Sequence, residues 1–218
     1  MSDRPDYAEM NQLLYTGKAK DIHTLTERYI HEWKRPVKEV LEEGLIAGMA
    51  VVGEDFKNNI LYVPEVLIAA RAMKAGMKII RPILSESDDV QPAGVLLMGT
   101  VKGDLHDIGK NLVCMMAEGA GFEVVDIGVD ANAEMFIEAV KQHQVTILGM
   151  SALLTTTMGY MAKVIEEMGA AGLGHIPCTV GGAPVTQMFA DEIGADGYAD
   201  DAASAVELFM ELVKATSA

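Results

Sequence analysis

The chain has 218 residues, half of them hydrophobic, with 21 glycines and a formal net charge of −15. That composition describes a packed globular chain rather than a disordered one, long enough for one large domain or two small ones. The acidic balance speaks against nucleic acid and against an anionic membrane surface, both of which call for a basic face, and leaves solubility as its plain meaning.

The start, Met1-Ser-Asp-Arg-Pro-Asp6, is polar and lacks the apolar segment of a secretory signal. No run approaches the roughly 18 uncharged apolar residues of a membrane span, so no membrane partner and a cytoplasmic location are expected. Residues 6–17 read as a short helix with Met10, Leu13 and Leu14 on one face. Asp21 to Trp33 continues helically, with Thr24 or Thr26 near its start. Pro36 suits the first turn of the next helix, which carries Val37, Val40, Leu41, Leu45, Met49, Val52 and Phe56 at helical spacing. Gly44, Ala47 and Gly48 lie within it; small residues weaken a helix by up to about 1 kcal/mol each, and mark places where another helix or a flat ligand approaches closely. Asn58-Asn59 breaks the pattern. Pro64 then opens a helix with Val63, Val66, Leu67, Ala70, Met73 and Met77 at i, i+3, i+4, i+7 spacing. Four helices joined by short loops read as an up-down bundle.

Residues 82–94 hold two prolines and several turn formers and read as a linker. The expected domains are therefore 1–88 and 89–218. Strands are expected at 95–100, 123–127, 145–150, 177–181 and 196–199, and helices at 108–120, 132–143, 155–170, 185–193 and 201–215. Five apolar strands alternating with helices predict a parallel sheet covered on both faces, with a ligand over its carboxyl edge. No Gly-x-Gly-x-x-Gly follows the first strand and no Gly-Lys-Ser/Thr loop occurs, so neither nucleotide fingerprint is supported. Cys114 and Cys178 lack metal-site spacing and read as small buried hydrophobes.

The stretch richest in chemistry is Gly99-Thr-Val-Lys-Gly-Asp-Leu-His-Asp-Ile-Gly109. The apolar run Val95 to Met98 leads into it and a helical pattern from Ile108 leads out, so Asp104 and His106 fall at the carboxyl end of a strand. A histidine offered to a metal needs its second ring nitrogen held, commonly by a carboxylate, and Asp104 is two residues away. Gly109, without a side chain, lets something bulky pass close to the backbone. By itself Asp-x-His-x-x-Gly reads equally well as a loop histidine bonded to a neighbouring acid. Two more stretches on the same edge sharpen it: Ser151-Ala-Leu153, with 41 residues between Gly109 and Ser151, and Gly181-Gly182, with 27 between Leu153 and Gly181.

This three-part pattern resembles the corrinoid-binding domain of cobalamin-dependent methyltransferases and mutases, over about residues 92–218. The runs Gly48-Met-Ala-Val-Val-Gly-Glu-Asp-Phe56 and Leu61-Tyr-Val-Pro-Glu-Val-Leu-Ile-Ala-Ala-Arg-Ala-Met73 are similar to the helical cap of the methyltransferase branch. The resemblance implies a four-helix-bundle cap, whose helix pair covers the upper face of a corrin ring, followed by a Rossmann-like (flavodoxin-like) α/β domain with a five-stranded parallel sheet. It implies a cobalamin or related corrinoid bound base-off/His-on, with His106 as cobalt ligand, Asp104 as its partner and Thr157 as the hydroxyl that bonds the Asp. Relatives more often carry Ser at that place; Thr keeps the hydroxyl. Ser151 matches the residue bonding the base of the nucleotide tail. Gly103, Asp107, Ile108, Gly109, Leu153, Thr155, Gly181, Gly182 and Ala183 fall in the segments that would line the cofactor site, and Tyr198 and Ala199 would border the nucleotide.

Within that likeness, the Asp–His–Thr chain would take up or release a proton as the imidazole binds or leaves the cobalt. Mutases and complete methyltransferases also need a substrate barrel of about 250 residues, for which this chain has no room. The resemblance therefore implies a corrinoid methyl carrier that is not catalytic alone. Co(I) would accept a methyl group through a barrel-type, substrate-specific methyltransferase. The donor would be a methylamine or quaternary amine ahead of methanol or an aryl methyl ether. Methylcobalamin would pass the group to tetrahydrofolate or a thiol coenzyme through a second methyltransferase, and a reductive activase would be a further partner. A corrinoid-dependent sensor without turnover, or a flavodoxin-like domain with no corrinoid, are the alternatives. His23, His31, His143 and His175 lack this setting and read as surface or capping residues.

Overall fold

The computed structural model describes residues 7–84 and 92–216. The chain divides into two compact units, Met1–Gln91 and Pro92–Ala218. The polar start, residues 85–91 of the expected linker and the expected boundary at 88/89 lie outside the described residues.

The first unit is helical: α1 (Ala8–Tyr15), α2 (Ala19–Glu27), α3 (Val37–Glu39), α4 (Ala47–Lys57) and α5 (Val63–Leu84). A π-helical turn, Arg28–Glu32, extends α2, and another, Val40–Ile46, joins α3 to α4, so the chain forms four continuous rods. Met10, Leu14, Ile22, Leu45, Met73 and Ile80 are fully buried among them. The small residues are explained inside this unit. A Cβ on Gly48 would lie 3.3 Å from the Asn11 backbone of α1, and one on Gly76 would lie 2.8 Å from Leu45.

Four expectations need correction here. Neither Thr24 nor Thr26 starts α2, which begins at Ala19 without a side-chain cap. Thr26 is buried and its hydroxyl donates to the Ile22 carbonyl at 2.7 Å, one turn back, which lets a polar side chain sit inside the helix. Pro36 stands at the cap position, not in the first turn: its backbone is extended (φ −56°, ψ 131°) and its carbonyl accepts from Val40 N–H at 3.1 Å. Leu67 is 37% exposed, because the buried stripe of α5 runs through Val66, Ala69, Ala70 and Met73 instead. And α5 continues through Pro82 to Leu84, past the expected start of the linker. Proline removes one helical hydrogen bond, and in the last turn little helix remains beyond it to disrupt.

The second unit is a doubly wound sheet. Strands β1 (Val95–Thr100), β2 (Glu123–Asp126), β3 (Ile147–Ser151), β4 (Cys178–Gly181) and β5 (Gly197–Ala199) pair in the order β2-β1-β3-β4-β5, all parallel. The helices are α6 (Ile108–Gly119), α7 (Ala133–Gln142), α8 (Thr155–Met158), α9 (Tyr160–Ala170), α10 (Gln187–Ile193) and α11 (Ala202–Thr216). The single helix expected over 155–170 divides at Gly159. Alternate strand residues feed two cores, as the pleat requires. Leu97, Leu148 and Val180 pack with Phe136 of α7 and Val164 of α9. Leu96, Met98 and Ile147 pack with Cys114 of α6 and Phe209 of α11. Both cysteines are buried, and burial first of all pushes each thiol up to about 12.

The strand order reverses between β1 and β3, which opens a crevice at the carboxyl edge where such sheets take their ligands. Pairing sets Thr100 beside Ser151, Ser151 beside Gly181 and Gly181 beside Ala199, one row along that edge. Among the described residues no helix is long and apolar enough to cross a membrane.

Candidate functional site

The loop after β1 is shaped by Gly103, whose φ of +84° is a left-handed turn that glycine adopts without strain. The turn sends the Asp104 side chain inward to 0% exposure, while the His106 side chain stays 51% exposed. Asp104 Oδ1 accepts from His106 Nδ1 at 2.7 Å and from His106 N–H at 3.1 Å. Its Oδ2 accepts from Thr157 Oγ1 at 2.7 Å and from the N–H groups of Leu153 and Leu154 at 2.8 and 3.2 Å. A buried carboxylate without partners would be strongly unfavourable. Here burial pushes its pKa up, but the bonds from Thr157, Leu153 and His106 outweigh that and hold the carboxyl well below the usual carboxylate range. Asp104 is therefore ionised at neutral pH. An ionised carboxylate only accepts, so the imidazole proton sits on Nδ1 and the lone pair on Nε2.

The surroundings of that nitrogen define what can bind it. Leu105 and Ile108 are 71% and 77% exposed, and Leu153 and Leu154, whose amides reach Asp104, are also exposed. Beyond its chain neighbours and its own helix backbone, a Cβ on Gly109 would meet nothing within 4 Å. No group of three or more His, Cys, Asp or Glu among the described residues could hold a metal ion. A metal reached by His106 must therefore arrive with its remaining ligands already in place. A single nitrogen donor beside exposed aliphatic side chains fits a metal carried in a flat organic macrocycle, and does not fit a bare ion.

The other expected residues separate into groups. Asp104, His106 and Thr157 are joined by hydrogen bonds, and Leu153 joins them through its backbone. Ser151, Gly181 and Ala199 share the row along the sheet edge, and Tyr198, beside Val180, is half-buried against the core. Thr155, at the start of α8, and Ala183 are exposed. Gly182 has φ +125°, and a Cβ there would lie 1.9 Å from the Ala152 carbonyl oxygen, so the fold itself demands glycine. Asp107 caps α6 by position only: its side chain makes no bond to the helix amides and instead accepts from Asn111 Nδ2 at 3.0 Å.

Reading the sequence misses several contributors. Buried Thr100 donates its hydroxyl to the His106 carbonyl at 2.9 Å. Asp130, itself left-handed at φ +54°, accepts from Gly103 N–H at 2.7 Å and donates its own N–H to the Asp104 carbonyl at 3.0 Å. Neither carries a local signal. Lys110 does: it falls on the apolar stripe of α6, in phase with Cys114 and Ala117, and is buried.

Two family models match the chain, both described as a B12 binding domain, over residues 94–207 and 7–81. The chain is 44% identical over 176 residues to dimethylamine corrinoid protein 1 of Methanosarcina acetivorans, covering 80% of this chain and 83% of that one. It is 42% identical over 178 residues to trimethylamine corrinoid protein 2 of the same organism, covering 81% and 82%. Among solved structures, a chain of the methanol:cobalamin methyltransferase complex MtaBC of Methanosarcina barkeri superposes with a TM-score of 0.84 at 27% identity, covering 95% of this chain and 79% of that one.

Proposed function

The chain belongs to the B12-binding corrinoid proteins of cobalamin-dependent methyl transfer, and we propose from that premise that it carries methyl groups drawn from a methylated amine, with His106 as the lower ligand to cobalt. The observation that carries the site assignment is the five-fold bonding of buried Asp104, which leaves Nε2 as the free lone-pair donor of a half-exposed His106 side chain. The bound corrinoid supplies the cobalt that takes up and gives up the methyl group.

The chain's own residues do the rest. Thr157 and the Leu153 and Leu154 amides keep Asp104 charged. Asp104 keeps a proton on Nδ1 and strengthens Nε2 as a ligand, a contribution typically of 10–100-fold in metal affinity or activity. With a corrinoid bound, His106 would hold its cobalt through Nε2 while Nδ1–H stays bonded to Asp104. We assign the nucleotide tail, displaced from the metal in the base-off/His-on form, to the row Ser151, Gly181 and Ala199. Tyr198 and the segments at 103–109, 153–155 and 182–183 border it.

The organisation we adopt is a cap at 1–88 and a corrinoid-binding domain at 89–218, working in the cytoplasm. The protein works with a methyltransferase partner. The further partners we assign are a barrel-type, substrate-specific methyltransferase, a second methyltransferase acting on tetrahydrofolate or a thiol coenzyme, and a reductive activase. A sensor without turnover is not favoured, since the similar proteins are corrinoid proteins named for the amines they serve.

Loading the full chain with hydroxocobalamin tests the ligand. His106→Ala should lose the spectrum of histidine ligation, and an unchanged spectrum overturns the assignment. Methyl transfer assayed with mono-, di- and trimethylamine, a betaine and methanol, each with its own methyltransferase, tests the donor. Transfer from methanol alone overturns the amine assignment.

A further inference from the structure

Lys110 is the only buried lysine or arginine among the described residues, with 2% of its side chain exposed. It stands four residues past His106, on the face of α6 that otherwise buries Cys114 and Ala117. Packing alone would be served there by methionine or leucine. Burying an ammonium costs several kcal/mol unless its bonds are made, so what those bonds do is informative.

Lys110 Nζ forms an ion pair with Asp126 Oδ2, at the end of β2, and donates to Asn111 Oδ1 at 2.9 Å. The second bond has a directional consequence. An ammonium has no lone pair and bonds only an acceptor, so it fixes which end of the Asn111 amide faces it. The NH2 end must then point the other way, and it donates to Asp107 Oδ2 at 3.0 Å. Asp107 is the covalent neighbour of His106. Its carboxylate is thereby drawn away from the helix amides it would ordinarily cap. The turn bearing His106 is thus held from both sides: by Asp104 and Thr100 on one, and by Lys110 through Asn111 and Asp107 on the other.

We propose that Lys110 is a positioning residue for His106, acting through the Asn111 amide and the Asp107 carboxylate to hold the turn that presents Nε2 to the metal. The proposal rests on the reading of His106 as cobalt ligand. Its role is geometric: it sets the fraction of bound cofactor that the imidazole reaches, not the affinity of the sheet edge for the rest of the molecule.

The test uses the full chain grown with 15N-histidine and loaded with cob(II)alamin, whose paramagnetic resonance shows a superhyperfine doublet from an axial histidine 15N and a triplet from the 14N of the cofactor's own base, alongside melting temperature. Lys110→Met breaks the relay at its origin, and Asn111→Leu breaks it while leaving the Lys110–Asp126 pair intact. Both should bind cob(II)alamin yet show a histidine-doublet fraction lowered on the order of tenfold, as loss of a ligand's supporting partners typically does. Lys110→Arg, which can still serve both acceptors, should recover most of it. A full histidine doublet in Asn111→Leu overturns the proposal, and so does a loss seen only together with a lowered melting temperature. His106→Ala separates this from the parent reading: a doublet that persists there overturns the ligand assignment itself, whereas a doublet lost in His106→Ala but kept in Asn111→Leu overturns the relay alone.

Discussion

The two units differ in what they bury. Among the described residues of the helical unit the buried side chains with a polar group are Thr26, satisfied within its own helix, and Tyr7 and Tyr29, of which Tyr7 donates its hydroxyl to Glu39. The α/β unit buries Thr100, Asp104, Lys110, Thr157 and Thr179, and four of these lie around the loop of His106. Surface ion pairs show the complementary pattern. In the helical unit Arg28–Glu32 and Lys38–Glu42 are solvated neighbours one turn apart, a class worth little, while Arg35–Glu39, joined by Tyr7, is part-buried. Lys110–Asp126 joins a helix to a strand with its cation fully enclosed. Polar groups are costly to bury, so the places where a chain buries them mark where position matters more than stability. The helical unit is held mainly by apolar packing, and the carboxyl edge of the sheet by directed bonds.

Asp104→Asn should strike that contrast hardest. It removes the charge while three backbone amides, a hydroxyl and an imidazole still converge on the site. The cost expected for breaking a buried charged network is about 3–5 kcal/mol, read by urea unfolding of the α/β unit. Unchanged unfolding in this variant would mean that the polar set is not what secures the edge.

Leu45→Ala is the counterpart in the helical unit. It opens a cavity beside Gly76 and should cost about 3 kcal/mol, yet leave the spectrum of histidine-ligated cobalamin as it was. A shifted spectrum would show that the ligand geometry depends on the helical core.

Thr157→Val sharpens the comparison by removing one bond of the five, for about 1–2 kcal/mol, and by changing the acid response. The folded pKa of Asp104 lies below its ordinary value of 3.8. Its stabilisation is therefore present above that value and is lost as pH falls below it. With Thr157 gone the depression is smaller, so the stability that disappears between neutral pH and acid should shrink. Unfolding free energies across pH 7 to pH 2 check the slope, and equal slopes in variant and wild type would remove Thr157 from the account.

Gly109→Ala has the smallest expected effect on the fold and the opposite sign. Alanine is favoured over glycine in a helix by about 0.5–1 kcal/mol, and beyond the chain neighbours and the helix's own backbone nothing lies within 4 Å of the added Cβ. The melting temperature should hold or rise while cobalamin binding weakens. Undiminished binding would mean that the open space there is not kept for the cofactor.

Much of this molecule can be read before folding it. Apolar runs mark the central strands β1, β3 and β4, the alternation with helical stripes locates β2 and β5, and the residues His106, Ser151 and Gly181 fall on one edge because successive strands run the same way. The π-helical turns at Arg28–Glu32 and Val40–Ile46 do not show, because the segments on either side each keep an i, i+3, i+4 pattern of their own. The glycines split by cause. Gly182 is required by the Ala152 carbonyl, whereas Gly109 faces open space, and the letter alone is the same for both.

What the chain's linear order determines, then, is the layering and the address of the site, because hydrophobic burial follows local periodicity and is repeated over many residues. Tertiary structure decides the chemistry at that address. Thr157 reaches Asp104 across 53 positions, Asp126 meets Lys110 from the neighbouring strand, and together such contacts choose which imidazole nitrogen keeps its lone pair. Hydrogen bonds are made or lost within tenths of an ångström, and only the packed sheet fixes distances that finely between residues so far apart in the chain.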